Sequence, residues 1–527
     1  MRTALELAGG WRFNTGAGPV SRTAATLLFA TLAAGLLIGL SLADTKTIFL
    51  IGGSLLFVIA FSLSGNPRLF FLWGLVLSAP LAVSKAFFIS AHMGGASAIR
   101  LDLCDVFLAA LLFFILRDYL QGRRDHLRFS MLAFWWGGMI VLGVLNIIFG
   151  PLRMLALLEV VRMLKLYLLF FVIINEVVRV RQFMQMFAAL AGVIVLQTSI
   201  AMVQFTLHSN LGLQFLGEPE AGVMESTSDS VYRGTIDVYR AGGLFEHPNI
   251  LAGFLALLLP ICIALMFSRL APLYKAGLAA VIGLGLAVLM ITLSRSGWMS
   301  FGAGFVLLLV VSILHQKLRL RYMLARVLVI ISIFAALGMA SGEIIKRFTA
   351  SDPGALKFRY EMMDIAWEMI VDHPVLGLGL NTFVAYLPEY TSPKGPEAVN
   401  AKYGSNWPVV HDSYLITWTE QGTVGFAFLV GVYLCILWTA VKSARYVLDD
   451  LLYAINLGAA CGIVAIMVDG IGSFFVAEEA SGRVFWMIVG MIFAINYWTR
   501  ANRHLRQGGA AGPAIAKHGA RLVAPGP

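Results

Sequence analysis

Long apolar runs, each closed by a short polar or basic connector, make up most of this chain. A helix needs roughly 17–25 apolar residues to cross a bilayer. Runs of that order fall near residues 24–43, 47–64, 68–90, 101–116, 129–149, 157–178, 183–207, 249–268, 274–294, 297–314, 325–341, 422–441, 450–470 and 484–498. The pattern predicts an all-α polytopic membrane protein of about fourteen transmembrane helices (12–14, the second and sixth runs being the weakest). The second is short, and the sixth opens on Glu159, Arg162 and Lys165.

One stretch breaks the pattern. Residues 342–421 are polar and rich in Pro and Gly, far longer than a connector between helices needs to be. Within it, Met362, Ile365, Ala366, Met369 and Ile370 recur at i, i+3, i+4, i+7 and i+8, which predicts an amphipathic helix. Asp364, Glu368 and Asp372 share its other face, and Pro374, Gly377 and Gly379 end it. Arg359 stands one turn ahead of the apolar face, a placement that predicts contact with a membrane surface. Tyr386, Tyr390, Tyr403 and Trp407 in the same stretch fit either sugar-stacking platforms or the packing of a small lid core.

Composition agrees: 59% of the 527 residues are hydrophobic and 13% charged, and mean hydropathy is +0.82. A soluble domain carries about 25% charged residues. The formal charge of +10 is topogenic rather than a sign of nucleic-acid binding, because the basic residues crowd short connectors. Arg2, Arg12 and Arg22, then Arg117, Arg123, Arg124 and Arg128, then Lys317, Arg319, Arg321 and Arg326, and finally Arg500, Arg503 and Arg506 all fall on one side if fourteen spans are counted. The positive-inside rule makes that side cytoplasmic. The chain then reads as a cytoplasmic segment (1–23), N-terminal membrane helices (24–207), an extracytoplasmic loop (208–248), central membrane helices (249–341), the large extracytoplasmic loop (342–421), C-terminal membrane helices (422–498) and a cytoplasmic, disordered tail (499–527). No cleavable signal peptide is evident, so the first span is expected to double as the targeting signal. Cys104, Cys262, Cys435 and Cys461 lie inside apolar runs, and no disulfide is expected.

Few residues are placed to do chemistry. Arg295, in LSRSGW, is pinned between two spans; it is either an interfacial anchor beside Trp298 or a guanidinium that forks onto a phosphate or diphosphate. Arg359 has the same choice between an ion pair and a lipid phosphate. His411 opens a polar stretch that re-enters the membrane, and its side chain titrates near neutrality, which suits a general base. His373 and His247 compete with it. Arg240, Asp412 and Glu420 are supporting candidates. The extracytoplasmic acids contain no tight Asp-x-Asp pair, which favours chemistry without a metal and with arginines carrying the charge work; no cofactor is called for. Asp102, Asp105, Glu478 and Glu479 are membrane or interfacial acids that need partners.

Four segments, RAGGLFEHPNILAGFLALLLP (Arg240 to Pro260), LSRSGW, FRYEMMDIAWEMIVDHPVLGLGLNTF and VVHDSYLITWTEQGTVG, resemble the signature segments of the O-antigen ligase and polymerase superfamily. These are polytopic membrane glycosyltransferases of the GT-C type. The resemblance covers about Arg240 to Val441, under half of the chain, and at Asp412 the family more often carries Asn. It implies a bacterial inner-membrane enzyme that moves a glycan from an undecaprenyl-diphosphate-linked donor to an acceptor hydroxyl on the periplasmic side, with inversion. Carried over by motif, the catalytic histidine falls on His411 and the diphosphate-binding arginines on Arg295 and Arg359. A ligase would use a glycan or lipid acceptor, a polymerase the next lipid-linked repeat unit. The rival from another class is a transporter. It would show broken helices paired in two halves and acids at mid-membrane, whereas the acids here cluster toward the span ends.

Overall fold

The computed structural model describes residues 61–62, 65–90, 95–219, 239–314, 353–403, 407–473, 475–476 and 478–502. Fourteen helices lie among them: α1 (Pro67–Ser78), α2 (Leu103–Leu120), α3 (Leu132–Phe149), α4 (Arg153–Glu176), α5 (Val180–Leu207), α6 (Pro248–Met266), α7 (Pro272–Ile291), α8 (Arg295–Leu314), α9 (Pro353–Asp372), α10 (Phe383–Tyr390), α11 (Pro396–Tyr403), α12 (Ser413–Tyr446), α13 (Asp450–Asp469) and α14 (Glu479–Ala501). One antiparallel hairpin, β1 (Ser84–Phe87) with β2 (Ile99–Asp102), pairs Ser84 with Asp102 and Phe87 with Ile99. The chain divides into two units, Met1–Phe70 and Phe71–Pro527. The protein is an all-α polytopic membrane protein.

Eight of the described helices (α3, α5, α6, α7, α8, α12, α13 and α14) are long and apolar enough to cross a membrane. The expected spans 24–43 and 325–341, and nearly all of 47–64, lie outside the described residues. The expected span 68–90 is corrected: α1 ends at Ser78, and β1 occupies 84–87. Pro80 cannot continue a helix, because it lacks the N–H and its ring crowds the preceding turn. α2 and α4 correspond to the fourth and sixth expected spans but carry more charge. Their acids are partnered: Lys165 Nζ lies 2.7 Å from Asp102 and 2.8 Å from Asp105, Arg483 lies 2.9 Å from Asp102, and Arg162 pairs with Glu159.

Lipid tails are as apolar as leucine, so membrane helices associate where small residues let backbones approach. α13 meets α6 in this way. A β-carbon on Gly458 would come 2.5 Å from Ile261 Cα, and one on Gly462 would come 2.2 Å from the Leu257 carbonyl oxygen. α8 joins the same contact, since a β-carbon on Gly304 would come 2.7 Å from the Cys461 carbonyl oxygen. Connectors of a few residues make successive helices antiparallel. The start of α6, the end of α7, the starts of α8 and α12, the end of α13 and the start of α14 therefore share one end of the bundle.

Residues 353–403 and 407–412 form a lid at that end. α9, α10, α11 and the loop before α12 bury Met362, Ile365, Ala366, Met369, Phe383, Val384, Leu387, Val399 and Val410 against one another. Each of these side chains other than Ala366, fully buried, contributes about 1.5–3 kcal/mol. The apolar face read from the sequence is therefore covered by the lid's own core rather than by a membrane, which corrects the expectation attached to it. Asp364, Glu368 and Asp372 are exposed, as the periodicity requires.

Candidate functional site

The corner between α7 and α8 is built tightly. Leu293 takes a left-handed φ of 51°, and the Trp298 indole N–H donates to the Leu289 carbonyl at 2.9 Å. Ser294 caps α8, its hydroxyl accepting the Gly297 amide at 3.2 Å. Arg295 is thus the first residue of a capped helix and is partly exposed. Behind it, the buried Arg240 donates to the Thr292 carbonyl at 2.8 Å and to Asn249 Oδ1 at 2.7 Å. It holds the corner against the start of α6. His247 caps α6, its Nδ1 accepting the Asn249 amide at 3.0 Å.

The turn after α13 is where the site residues gather. The Ser413 amide donates to the Gly470 carbonyl at 2.7 Å and the Ser413 hydroxyl to the Ser473 carbonyl at 2.8 Å. Tyr414 Oη donates to the Met467 carbonyl at 2.6 Å. His411, half-buried, precedes this anchored turn by two residues. On the other side of the same turn, a β-carbon on Gly472 would lie 3.5 Å from an Arg359 guanidinium nitrogen and 3.6 Å from Ser296 Cβ. Arg359 from α9, the Arg295–Ser296 start of α8 and the His411–Ser413 start of α12 are therefore neighbours around Gly470–Ser473.

Asp469, fully buried at the end of α13, accepts from the Ser300 hydroxyl at 3.5 Å and feels the charge of Arg359. Sequence reasoning did not single it out. The one signal was a lone acid closing an apolar run, IMVDG, at the depth of the site.

The supporting candidates serve the frame. Asp412 caps α12, one oxygen accepting the Tyr414 and Leu415 amides, both at 2.8 Å. Burial pushes its carboxyl above the usual range, against those two amides. Glu420 is buried and accepts the Asn381 amide at 2.8 Å and the Phe383 amide at 3.1 Å, fixing the loop after α9. That loop laces into α12, which breaks at Gly422 (φ 64°): the Leu378 and Gly379 amides donate to the Thr419 and Glu420 carbonyls at 3.0 and 2.9 Å, and the Thr423 amide to the Pro374 carbonyl at 2.8 Å.

The structure does not bring His373 to the site. It follows the end of α9, fourteen residues from Arg359, or about 21 Å at 1.5 Å per residue. The four lid aromatics, Tyr386, Tyr390, Tyr403 and Trp407, pack against the lid core. Tyr403 Oη and Glu361 are 2.7 Å apart, and the Trp407 indole donates to Asn400 at 2.7 Å. Burial and then the hydrogen bond with Asp372 push the Tyr390 phenol up to about 12. Among the described residues, no three His, Cys, Asp or Glu side chains are grouped to hold a metal ion.

Residues 278–430 match the family described as O-antigen ligase. The matched stretch contains Arg295, Arg359 and His411, begins after Arg240 and ends before Asp469. No curated protein matches the chain. Among solved structures, the chain is similar to one described as "Structural coordination of polymerization and crosslinking by a peptidoglycan synthase complex", with 16% identity and a TM-score of 0.35 over 71% of this chain and 97% of that one.

Proposed function

We propose, for a chain whose residues 278–430 match the O-antigen ligase family, a ligase-type transfer of glycan from an undecaprenyl-diphosphate-linked donor to an acceptor hydroxyl. The observation that carries this reading is the meeting of Arg359, the Arg295–Ser296 start of α8 and the His411–Ser413 start of α12 around the Gly470–Ser473 turn.

The difficult features of the reaction are charge growing on the departing diphosphate and a weak alcohol nucleophile. Two guanidiniums on separate, anchored helices answer the first, because donors fixed before the reaction need no reorganisation during it. Arg295 at the start of α8 adds the favourable end of a helix dipole. His411 answers the second: as the acceptor oxygen bonds to C1, the imidazole takes its proton while the C1–O bond to diphosphate breaks. Attack from the face opposite the diphosphate inverts the anomeric centre. Asp469 and Arg240 are positioning residues, the first facing Arg359 and the second holding the corner that carries Arg295. The reaction is assigned to the periplasmic face of the inner membrane, and the arginines rather than a metal carry the charge.

The test is transfer from a purified lipid-linked oligosaccharide donor in proteoliposomes, with donor binding measured separately. His411→Ala should lower transfer by about 10²–10⁴ and leave binding near normal. Arg295→Lys and Arg359→Lys keep charge but lose the planar fork, and both should weaken binding and transfer. Near wild-type transfer in His411→Ala, or in both lysine variants, would overturn the proposal. So would activity lost to a chelator and restored by magnesium.

A further inference from the structure

α9 has three faces rather than two. Met362, Ile365, Ala366 and Met369 are buried in the lid core, Ile370 is buried on the same side, and Asp364, Glu368 and Asp372 are exposed. A third set, Tyr360, Met363, Trp367 and Val371, also follows helical spacing, and it is exposed by 64, 37, 53 and 61%. At 3.6 residues per turn the three sets are centred roughly a third of a turn apart. A helix with one core face and one aqueous face has no use for an exposed Tyr–Met–Trp–Val stripe in water. Such a surface marks a contact.

What lies beside this stripe says what covers it. The Trp367 ring meets Trp418 edge to face at 5.9 Å, and Trp418 stacks on Phe426 at 4.8 Å. Phe426 heads a row on α12 that continues through Val430, Leu434 and Trp438, the last three exposed by 37, 61 and 65%. α12 is apolar and long enough to cross a membrane, so this row is lipid-facing surface. The α9 stripe is its direct continuation. Depth agrees: Phe426 to Tyr446 is twenty residues along α12, about 30 Å at 1.5 Å per residue, the thickness of a hydrocarbon core. With Tyr446 beside Lys442 and Arg445 at one boundary, Phe426, Trp418 and Trp367 stand at the other, where tryptophan is favoured.

We infer that the Tyr360–Met363–Trp367–Val371 face of α9 is seated in the bilayer surface on the lid side, so that the lid floats on lipid rather than standing clear in water. The occupant is the acyl and head-group boundary of that leaflet. Arg359 lies on the flank between the core face and this lipid face, so the seating fixes its height at the level of lipid phosphates. The inference does not depend on the reaction proposed above.

The experiment is depth-dependent quenching in proteoliposomes. In a Cys435→Ser background, which removes the one described cysteine that is not buried, single cysteines at Trp367, Val371, Asp364 and Glu368 are labelled with bimane. The vesicles contain phosphatidylcholine brominated at defined acyl positions. Labels at 367 and 371 should be quenched several-fold more than labels at 364 and 368, most strongly by bromines nearest the head group. Equal quenching at all four positions would overturn the inference. So would protection of 367 and 371 from quenching together with cross-linking between copies at those positions, since the face would then be a protein interface.

Discussion

The amide of Ser413 donates to the carbonyl of Gly470 at 2.7 Å. That single bond fastens the first turn of α12 to the turn that ends α13, and Gly472 in the same turn lies against the Arg359 guanidinium. The start of the histidine-bearing helix and the lid's arginine are thus registered on one three-residue stretch of backbone. Movement of that turn displaces both.

Asp412 separates a capping role from an acidic one. Its oxygen accepts two amides, and an asparagine oxygen accepts them equally well. Asp412→Asn should keep melting temperature and transfer near wild type, whereas Asp412→Ala should cost about 1 kcal/mol, within the 0.5–2 kcal/mol of a lost N-cap. Loss of transfer in Asp412→Asn with an unchanged melting temperature would mean that the acid itself takes part.

Gly422 is where α12 breaks. Its φ of 64° suits glycine, and a β-carbon there would come 2.2 Å from the Val375 carbonyl oxygen. Because the obstructing atom is backbone, no side-chain rotation relieves it. Gly422→Ala should therefore destabilise the protein by more than the 1–3 kcal/mol typical of left-handed strain alone. Thermal unfolding in detergent would show this, and an unchanged melting temperature would contradict it.

Much of this was legible in the sequence, and the gaps have physical causes. Apolar length alone located the eight described spanning helices, because a bilayer imposes a fixed thickness. Periodicity found α9 and its Met362–Ile370 face, but a stripe facing lipid and a stripe facing a lid core look the same in one dimension. The Trp367 stripe was hidden because its members alternate with acids and never form a run. Residues 68–90 read as one span on hydrophobicity, and Pro80 was the signal that they are not. Arg295, Arg359 and His411 were named from motifs; what motifs could not supply was the Gly470–Ser473 turn that brings their segments together, since its small residues carry no chemistry of their own. Asp102 and Asp105 needed partners, and these turned out to lie far along the chain, Lys165 on α4 for both and Arg483 on α14 for Asp102.

That ion cluster gives another measurable consequence. Asp102 is 2% exposed and meets both Lys165 and Arg483. Removing one partner of a buried pair leaves an uncompensated charge, at a cost of about 3–5 kcal/mol. Asp102→Ala should lower the melting temperature sharply, and Asp102→Ala with Arg483→Met should recover part of the loss, because Lys165 keeps Asp105 at 2.8 Å whereas Arg483 is the buried cation left behind. If the double variant were no better than the single, the uncompensated Arg483 charge would not be the source of the loss.

Asp469 is the sharpest test of how the lid's arginine is held. It is fully buried, it accepts from the Ser300 hydroxyl, and it feels the positive charge of Arg359, which lies beside Gly472 in the turn that follows. Asp469→Asn keeps shape and the serine contact but removes the negative charge that faces the guanidinium. If Asp469 acts through Arg359, Asp469→Asn should weaken donor binding and transfer to about the extent that Arg359→Lys does. The double variant Asp469→Asn with Arg359→Lys should then be little worse than either alone, because coupled residues are not additive. Asp469→Ala would mix this effect with an empty buried site, so the isosteric change is the informative one. A donor affinity untouched by Asp469→Asn, with transfer abolished, would assign Asp469 to the chemical step instead of to Arg359. Additive losses in the double variant would show that the two residues act separately.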